Sequence, residues 1–234
     1  MKNSISFRLW GRHALFTDPI TKVGGEKCTY HIPTYEAVKG VLKSIYWKPT
    51  LVWHVDRVRV IKPLRTQTKG TKPLNWGGGN SLAYYTFLHD VEYQVEAHFE
   101  WNEHRPELVK DRVDGKHFAI AKRMLEKGGR QDIFLGTRDC QGYVEPCVFG
   151  EGEGAYDDID ELGFGLMFHS FGYPDETGNN ELISRFWHGV MRNGVIEYPH
   201  VTACPVTRHV RKMSAKSFEL EQSVQSVEQT EGGL

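Results

Sequence analysis

The sequence predicts an α+β fold of the ferredoxin-like (RRM-like) kind, with a split β-α-β domain, a smaller β-rich C-terminal unit and a disordered tail. Residues 1–142 follow the order β-α-β-β-α-β. Beyond Gly142 the composition shifts to glycine and acidic residues, with short strand-like segments. Residues 214–234 are rich in Ser, Glu and Gln, which is typical of disorder. The predicted units are therefore residues 1–142, 143–213 and 214–234.

The first half of this order is a strand, a helix and a second strand. Apolar and polar residues alternate through residues 5–10, which indicates a half-buried strand. Thr34 is a suitable N-cap for a helix that must end before Pro49. Residues 51–62 are rich in β-branched side chains and therefore favour a strand.

The second half begins with the clearest strand signal in the chain. Residues 91–101 alternate strictly, so one face is buried and the other is polar. Asp114 is the predicted N-cap of a helix over residues 118–127, and Gly128 with Gly129 supplies its stop. Residues 133–135 then start another strand. Residues 164–168 and 195–198 are the predicted strands of the C-terminal unit.

Composition places the chain among soluble globular proteins. It has 234 residues, of which 39% are hydrophobic and 25% are charged. No apolar run approaches the roughly 20 residues of a membrane span, and no signal peptide is visible. The cysteines form no C-x-x-C pair, so we expect reduced thiols in a cytoplasmic protein that makes no membrane contact.

The net charge of −1 conceals a strong asymmetry. Residues 145–182 carry −10 without a single Lys or Arg, and the tail carries −3, which leaves +12 on the remainder. A basic body with an acidic flank suggests a polyanionic partner on one face. The alternative is chance clustering of charges on solvated faces.

A long basic loop is predicted for residues 63–81. Six basic and no acidic side chains lie between residues 57 and 72, and a tryptophan follows. Basic residues next to an aromatic ring suit single-stranded nucleic acid, whereas the alternative is a solvated mobile loop. The predicted RNA-binding residues are Arg57, Arg59, Lys62, Arg65, Lys69, Lys72 and Trp76.

Metal and cofactor chemistry finds little support in the motifs. The sequence has no zinc-ligand spacing and no G-x-S-x-G elbow. The cluster Asp157, Asp158, Asp160 and Glu161 could bind Mg²⁺ or Ca²⁺, but it does not match an EF-hand loop and equally suits a solvated turn. We therefore predict no metal and no cofactor, and keep a metal-dependent nuclease that uses these aspartates as a rival.

Lys116 and His117 open the second helix, at the end where the helix dipole disfavours cations. This placement suits a phosphate, although a solvated lysine and a partly buried histidine would look the same. Metal-free RNA cleavage needs groups that exchange protons and a cation near the phosphate. Tyr46, in the last turn of the first helix, can supply a phenol or be a mere packing residue. The split β-α-β fold can bring these two helix ends together.

Four segments carry a resemblance to a known family: residues 7–11 (FRLWG), 44–49 (SIYWKP), 116–117 (KH) and 134–138 (FLGTR). They resemble the CRISPR-associated RAMP proteins, specifically the Cas5 family of subtype I-C systems, over nearly all of residues 1–213. The resemblance implies a metal-independent endoribonuclease that cuts the repeat hairpin of precursor CRISPR RNA. It further implies that the protein remains on the 5′ handle with the other subunits of an interference complex.

The family's catalytic Tyr, Lys and His correspond to Tyr46, Lys116 and His117. His117 is then the candidate general acid or base, Tyr46 orients or helps to deprotonate the 2′-OH, and Lys116 stabilises the charged transition state. The roles of His117 and Tyr46 are interchangeable at this level. The expected products are a 2′,3′-cyclic phosphate (or its hydrolysed form) and a 5′-OH. The alternative is a non-catalytic RNA-binding subunit of the same complex, and DNA is a further partner to consider.

Overall fold

A ten-stranded antiparallel sheet organises residues 3–215, the part of the chain that the computed structural model describes. Nearly all of the predicted disordered tail lies outside the described residues. The strands are β1 Ser4–Ala14, β2 Leu51–Val60, β3 Thr66–Thr71, β4 Ala83–Trp101, β5 Ile133–Phe134, β6 Gln141–Pro146, β7 Leu162–Gly172, β8 Glu181–Arg192, β9 Val195–Glu197 and β10 Val206–Lys212. The helices are α1 Pro19–Val23, α2 Tyr35–Ile45, α3 Lys116–Glu126 and α4 Pro174–Thr177, with a 3₁₀ helix at Pro106–Asp111.

The predicted ferredoxin-like core is confirmed. Its strands lie in the order β6-β1-β4-β2, with antiparallel pairing throughout. Helix α2 contacts β2, helix α3 contacts β1 and β6, and the two helices touch each other. The element order β-α-β-β-α-β is thus as predicted. The fourth strand of the core is nevertheless β6 and not the segment predicted at residues 133–135, where the two-residue strand β5 pairs with β6.

The strict alternation of β4 separates an apolar face from a polar one. Tyr93, Val95 and Ala97 are fully buried, and Val95 pairs with Phe7 of β1. The opposite face is polar, and there Glu92 accepts a hydrogen bond from Arg8. One sheet face thus builds the core while the other holds charges.

The prediction of one long loop over residues 63–81 was wrong. Thr66–Thr71 forms β3, which pairs with the first part of β4 from Ala83 to Leu88, so the two strands make a hairpin over residues 66–88. Every residue of β3 except Thr71 is exposed. An edge strand with two exposed faces carries no apolar alternation, and the sequence pattern therefore missed it.

The helix caps were predicted with mixed success. Thr34 caps α2 as expected, because its hydroxyl accepts a hydrogen bond from the backbone N–H of Ala37 at 3.2 Å. Asp114 is not the N-cap of α3: Gly115 occupies that position with φ +73°, and Asp114 accepts from the Gly115 N–H instead. Gly128 adopts φ +83° directly after α3 and ends it as predicted.

The C-terminal strands continue the first sheet. The strand predicted at residues 164–168 lies within β7, and β9 covers all but the last residue of the strand predicted at 195–198, whereas β8 and β10 were missed. Strand β9 pairs with β2 through Arg57↔Glu197 and Arg59↔Val195. The sheet is therefore continuous across the proposed boundary at residue 142, and the division into separate units stays a prediction.

The acidic segment, residues 145–182, pairs with the basic body inside the molecule. Arg59 binds Asp157 through two nitrogens, and Lys39 and Lys43 both donate to Glu176. Further pairs join Glu145 to Arg8, Glu161 to Arg192 and Glu181 to His209. The charge asymmetry along the sequence is thus partly cancelled in space.

Candidate active site

Tyr46 and His117 meet where α2 ends and α3 begins. Tyr46 is the C-cap of α2: its N–H donates to the Leu42 carbonyl, and its own carbonyl accepts from the Trp53 indole at 2.8 Å. His117 lies in the first turn of α3. Tyr46 Oη lies 2.8 Å from His117 Nδ1. The expected proximity of the two helix ends is therefore observed, whereas the catalytic role stays a prediction.

The second ring nitrogen of His117 fixes the direction of this hydrogen bond. His117 Nε2 lies 2.7 Å from the backbone carbonyl oxygen of Asp111. A carbonyl oxygen can only accept, so Nε2 carries the hydrogen. In the neutral imidazole Nδ1 then holds the lone pair, and Tyr46 donates its hydroxyl hydrogen to it.

Asp111 links Lys116, the third predicted catalytic residue, to the Tyr46–His117 pair. Its carboxylate accepts hydrogen bonds from Lys116 Nζ and, at 2.7 Å, from Thr50 Oγ1. These donors hold the pKa of Asp111 below its usual value. Burial raises the pKa of Tyr46, the Asp111 carboxylate raises it further, and the Arg130 guanidinium opposes both effects.

The site is closed in this conformation. The His117 side chain is 0% exposed, and Tyr46 is 3% exposed. The indole of Trp101 meets the imidazole of His117 edge to face at 5.6 Å between ring centroids. Lys116 is the open member, with 44% of its side chain exposed. The Lys116 side chain is therefore accessible from solvent, whereas the Asp111 carbonyl covers His117 Nε2.

The predicted RNA-binding residues fall into two groups, of which the first lies on or directly after β2. Arg57 pairs with Glu96, and Lys62 pairs with Asp90. Arg59 is only 6% exposed and, besides Asp157, it donates to the carbonyls of Glu151 and Gly152. This geometry favours a structural role for Arg59, because its guanidinium faces the interior and already has its partners.

The second group lies in and beside the β3–β4 hairpin, residues 66–88. Trp76 is entirely exposed at its tip, and Leu74 beside it is 84% exposed. Lys69 Nζ lies 5.7 Å from the centroid of the Phe87 ring. Within residues 3–215, neither Arg65, Lys69 nor Lys72 forms an ion pair. These cations and Trp76 stay the predicted RNA-binding residues that the geometry leaves accessible.

Sequence reasoning missed three residues of the site. Asp111 accepts a hydrogen bond from Lys116, and Thr50 donates to Asp111. Trp101 packs against the ring of His117. Asp111 lies in a 3₁₀ helix five residues before Lys116, a spacing that matches no motif. Its acidic side chain close to two basic residues was the one available signal.

The described residues hold no group of three or more His, Cys, Asp or Glu side chains arranged to bind a metal ion. Asp157, one of the candidate metal ligands, pairs with Arg59 instead. All four cysteines are free thiols. No helix in residues 3–215 has the length and apolarity that crossing a membrane requires.

Comparison with known proteins assigns the family. A family profile described as CRISPR-associated protein (Cas5) matches residues 4–199. Two relatives are 27% identical, and both carry the name CRISPR pre-crRNA endoribonuclease Cas5d. The one from Mannheimia succiniciproducens aligns over 89% of this chain and 100% of its own length. The one from Thermus thermophilus aligns over 83% and 91%.

Two solved structures share this fold. A crystal structure of a CRISPR-associated protein is 35% identical with a TM-score of 0.73, and it covers 88% of this chain and 96% of its own. A Streptococcus mutans protein described as functionally uncharacterized is 36% identical with a TM-score of 0.71, at the same coverage. The profile match spans most of the chain, and the chain therefore belongs to the Cas5 family of CRISPR-associated proteins.

Proposed function

We propose that this chain is a metal-independent endoribonuclease that cleaves precursor CRISPR RNA at the repeat hairpin. The observation that carries the proposal is the Tyr46–His117 hydrogen bond of 2.8 Å with the Lys116 ammonium group on the adjacent residue. A phenol, an imidazole and a cation are the groups that intramolecular attack by a 2′-OH requires. The names of the two Cas5d relatives support the same substrate class.

The direction of the hydrogen bond in the neutral imidazole supports one of the two role assignments that the sequence left open. Tyr46 Oη takes the proton of the 2′-OH while it passes its own proton to His117 Nδ1. The 2′-oxygen attacks the phosphorus atom, and the bond from phosphorus to the 5′-oxygen breaks. His117 Nε2 gives its hydrogen to that oxygen, so the imidazole leaves the step neutral. The products are a 2′,3′-cyclic phosphate and a 5′-OH, while Lys116 stabilises the phosphorane.

This mechanism requires that the 3₁₀ helix Pro106–Asp111 moves when RNA binds. Asp111 holds Lys116 with its carboxylate and covers His117 Nε2 with its backbone carbonyl. A scissile phosphate offers anionic oxygens to the same lysine. We propose that the phosphate replaces Asp111 and thereby uncovers the imidazole.

The accessible side chains of the hairpin would hold the RNA beside this site. Lys69 and Lys72 are suited to contact the phosphate backbone, and the exposed Trp76 ring is suited to stack on an unpaired base. After cleavage the protein would stay on the 5′ handle and contact other subunits of an interference complex. DNA is a further polyanion that the same cations could bind.

The alternative function is a non-catalytic RNA-binding subunit, and the complete burial of His117 favours it. A labelled repeat hairpin incubated with the protein in EDTA separates the two. We expect cleavage that His117→Ala abolishes while RNA binding survives, and a 2′-deoxy substitution just upstream of the cut should block cleavage. His188→Ala, an exposed histidine on β8, is the control.

Three results would contradict the proposal. Unchanged cleavage by His117→Ala would remove His117 from the mechanism. Normal cleavage of the 2′-deoxy substrate would exclude 2′-OH attack. Activity that stops in EDTA and returns with Mg²⁺ would favour the nuclease that uses Asp157, Asp158 and Asp160.

A further inference from the structure

A cleft of about 410 Å³ lies beside the candidate active site and is not part of it. The lining of the cleft includes Trp101, Asn102, Gly172, Arg185 and His54. Trp101 also packs against the imidazole of His117. The cleft therefore shares a wall with the site, and its volume is in the range that small-molecule ligands occupy.

Arg185 is the unusual member of this lining. Only 9% of the residue is exposed, yet within residues 3–215 its guanidinium forms neither a hydrogen bond nor an ion pair. A cation that is nine-tenths buried without a counter-ion is costly, because it has lost most of its water and gained no ionic partner. An anion in the cleft would supply that partner.

Gly172 makes room for this guanidinium. A Cβ atom at position 172 would lie 2.7 Å and 2.9 Å from the two terminal nitrogens of Arg185. The backbone of Gly172 does not have a positive φ, so conformation alone does not call for glycine there. The missing side chain instead leaves room for Arg185 and for Ile183, whose Cγ1 would lie 2.6 Å from that Cβ.

The other charges along the cleft are matched or lie near its rim. Lys39 is held by Glu176, and Glu103 is held by Arg112. Glu100 has 60% of its side chain exposed and lies 3.6 Å from His54 Nε2. Arg185 is thus the deep cation that these carboxylates leave without a partner.

The histidines of the cleft offer flat aromatic faces. The His54 ring stacks on His200 with 5.3 Å between centroids and on His98 with 5.2 Å. His54 Nδ1 is buried without a hydrogen-bond partner, and burial lowers the pKa of His54 to about 4, so this imidazole is neutral at pH 7. His200 is exposed at the open end of the stack. Stacked aromatic rings are platforms on which nucleobases bind.

We propose that this cleft binds one nucleotide of the RNA next to the scissile bond, with its phosphate on Arg185 and its base against His200. This inference rests on the proposed function only in taking the bound nucleotide to be part of the cleaved RNA. The shared wall at Trp101 and the imidazole stack favour a nucleotide over an acidic peptide, which would use the cation but not the rings.

Titration of the protein with adenosine 5′-monophosphate, followed by NMR of the arginine Nε–H and histidine ring signals, tests the site directly. We expect the signals of Arg185, His54 and His200 to shift in the wild type and in Arg208→Gln, but the histidine signals should not shift in Arg185→Gln. Arg208 is an exposed arginine on β10, outside the cleft lining, and so matches the charge change. Unmoved signals in the wild type would overturn the proposal, and so would a response to a glutamate peptide alone.

RNA binding provides the second measurement. With an uncleavable 2′-deoxy repeat hairpin, Arg185→Gln should raise Kd about tenfold, the size expected for a lost charge-assisted hydrogen bond. Gly172→Ala should raise Kd in the same direction because its methyl group displaces the guanidinium, whereas Arg208→Gln should change Kd less than twofold. Equal effects of Arg185→Gln and Arg208→Gln would contradict a specific subsite. The nucleotide titration does not depend on cleavage, so its result can be interpreted even if the proposed nuclease activity fails.

Discussion

The hydroxyl of Tyr46 lies 2.8 Å from Nδ1 of His117 and donates to it in the neutral imidazole, although 71 residues separate the two in the chain. The carbonyl of Asp111 on the other ring nitrogen sets that direction. The Tyr46 hydroxyl, the His117 imidazole and the Asp111 carbonyl are already hydrogen-bonded to one another, and this arrangement both preorganises the site and closes it. In the proposed mechanism, RNA must therefore open the site and need not assemble it.

Tyr46→Phe should lower the rate of repeat cleavage by about 10²- to 10⁴-fold, because the relay between the 2′-OH and His117 loses its oxygen. The ring would still fill its place in the core, and the lost hydrogen bond should cost about 1 kcal/mol of unfolding free energy. Single-turnover cleavage in EDTA measures the rate. Tyr143→Phe, at a half-exposed position, should cleave normally; cleavage by Tyr46→Phe at that same rate would exclude the relay.

Asp111→Asn should strengthen the binding of repeat RNA severalfold, because a negative charge that competes with phosphate for Lys116 is gone. The Asp111 backbone carbonyl is unaffected, so the tautomer of His117 is kept. Equilibrium binding to a 2′-deoxy hairpin measures the change. Asp114→Asn removes the same charge three residues away, and an equal gain there would show a general charge effect instead.

Arg59→Met should lower the free energy of unfolding by about 2 kcal/mol, since it leaves Asp157 and two backbone carbonyls without their donor. The affinity of the folded protein for RNA should change less than twofold, because Arg59 is 6% exposed. Urea unfolding and RNA binding are measured on the same sample. Unchanged stability with weakened RNA binding would restore Arg59 to the RNA-binding surface.

The Arg59–Asp157 pair should also make stability depend on pH. The guanidinium of Arg59 lowers the pKa of Asp157 below its usual 3.8. A carboxyl whose pKa is lower in the folded state contributes stability above its unfolded pKa and loses it as pH falls through the folded pKa. Asp157→Asn should therefore be less stable than the wild type at pH 6, and the gap should narrow as pH falls below 3.8 and through the lowered pKa of the folded state. A gap of constant size in urea unfolding across this pH range would contradict this.

Trp76→Ala should weaken RNA binding by about 1–3 kcal/mol without changing stability, because the ring is fully exposed and buries nothing in the fold. Leu74→Ala, at a neighbouring exposed position, removes apolar surface that cannot stack and serves as the control. Equal losses for Trp76→Ala and Leu74→Ala would indicate apolar contact instead of stacking.

Lys69→Met should reduce the salt dependence of RNA binding, measured as the slope of log K against log salt concentration, by about one unit.

Strand and helix patterns in the first half of the chain were readable because burial on one face imposes a period on the residues. The alternation of β4 and the Thr34 cap of α2 are such local signals, and both are present in the structure. Strand β3 and strand β10 are largely exposed on both faces, so no period exists to detect them. The Asp114 cap was wrong because Gly115 adopts a left-handed conformation that a side-chain preference cannot reveal.

By itself the sequence determined the ferredoxin-like order of elements and placed Tyr46, Lys116 and His117 at two helix ends, because propensity, capping and periodicity act over a few neighbouring residues. Only the tertiary structure decided what those residues touch. It joined Tyr46 to His117, set Asp111 against both basic residues, and paired Arg59, a predicted RNA-binding residue, with Asp157. Contacts between residues distant in the chain depend on sheet register and helix packing, which local patterns do not encode.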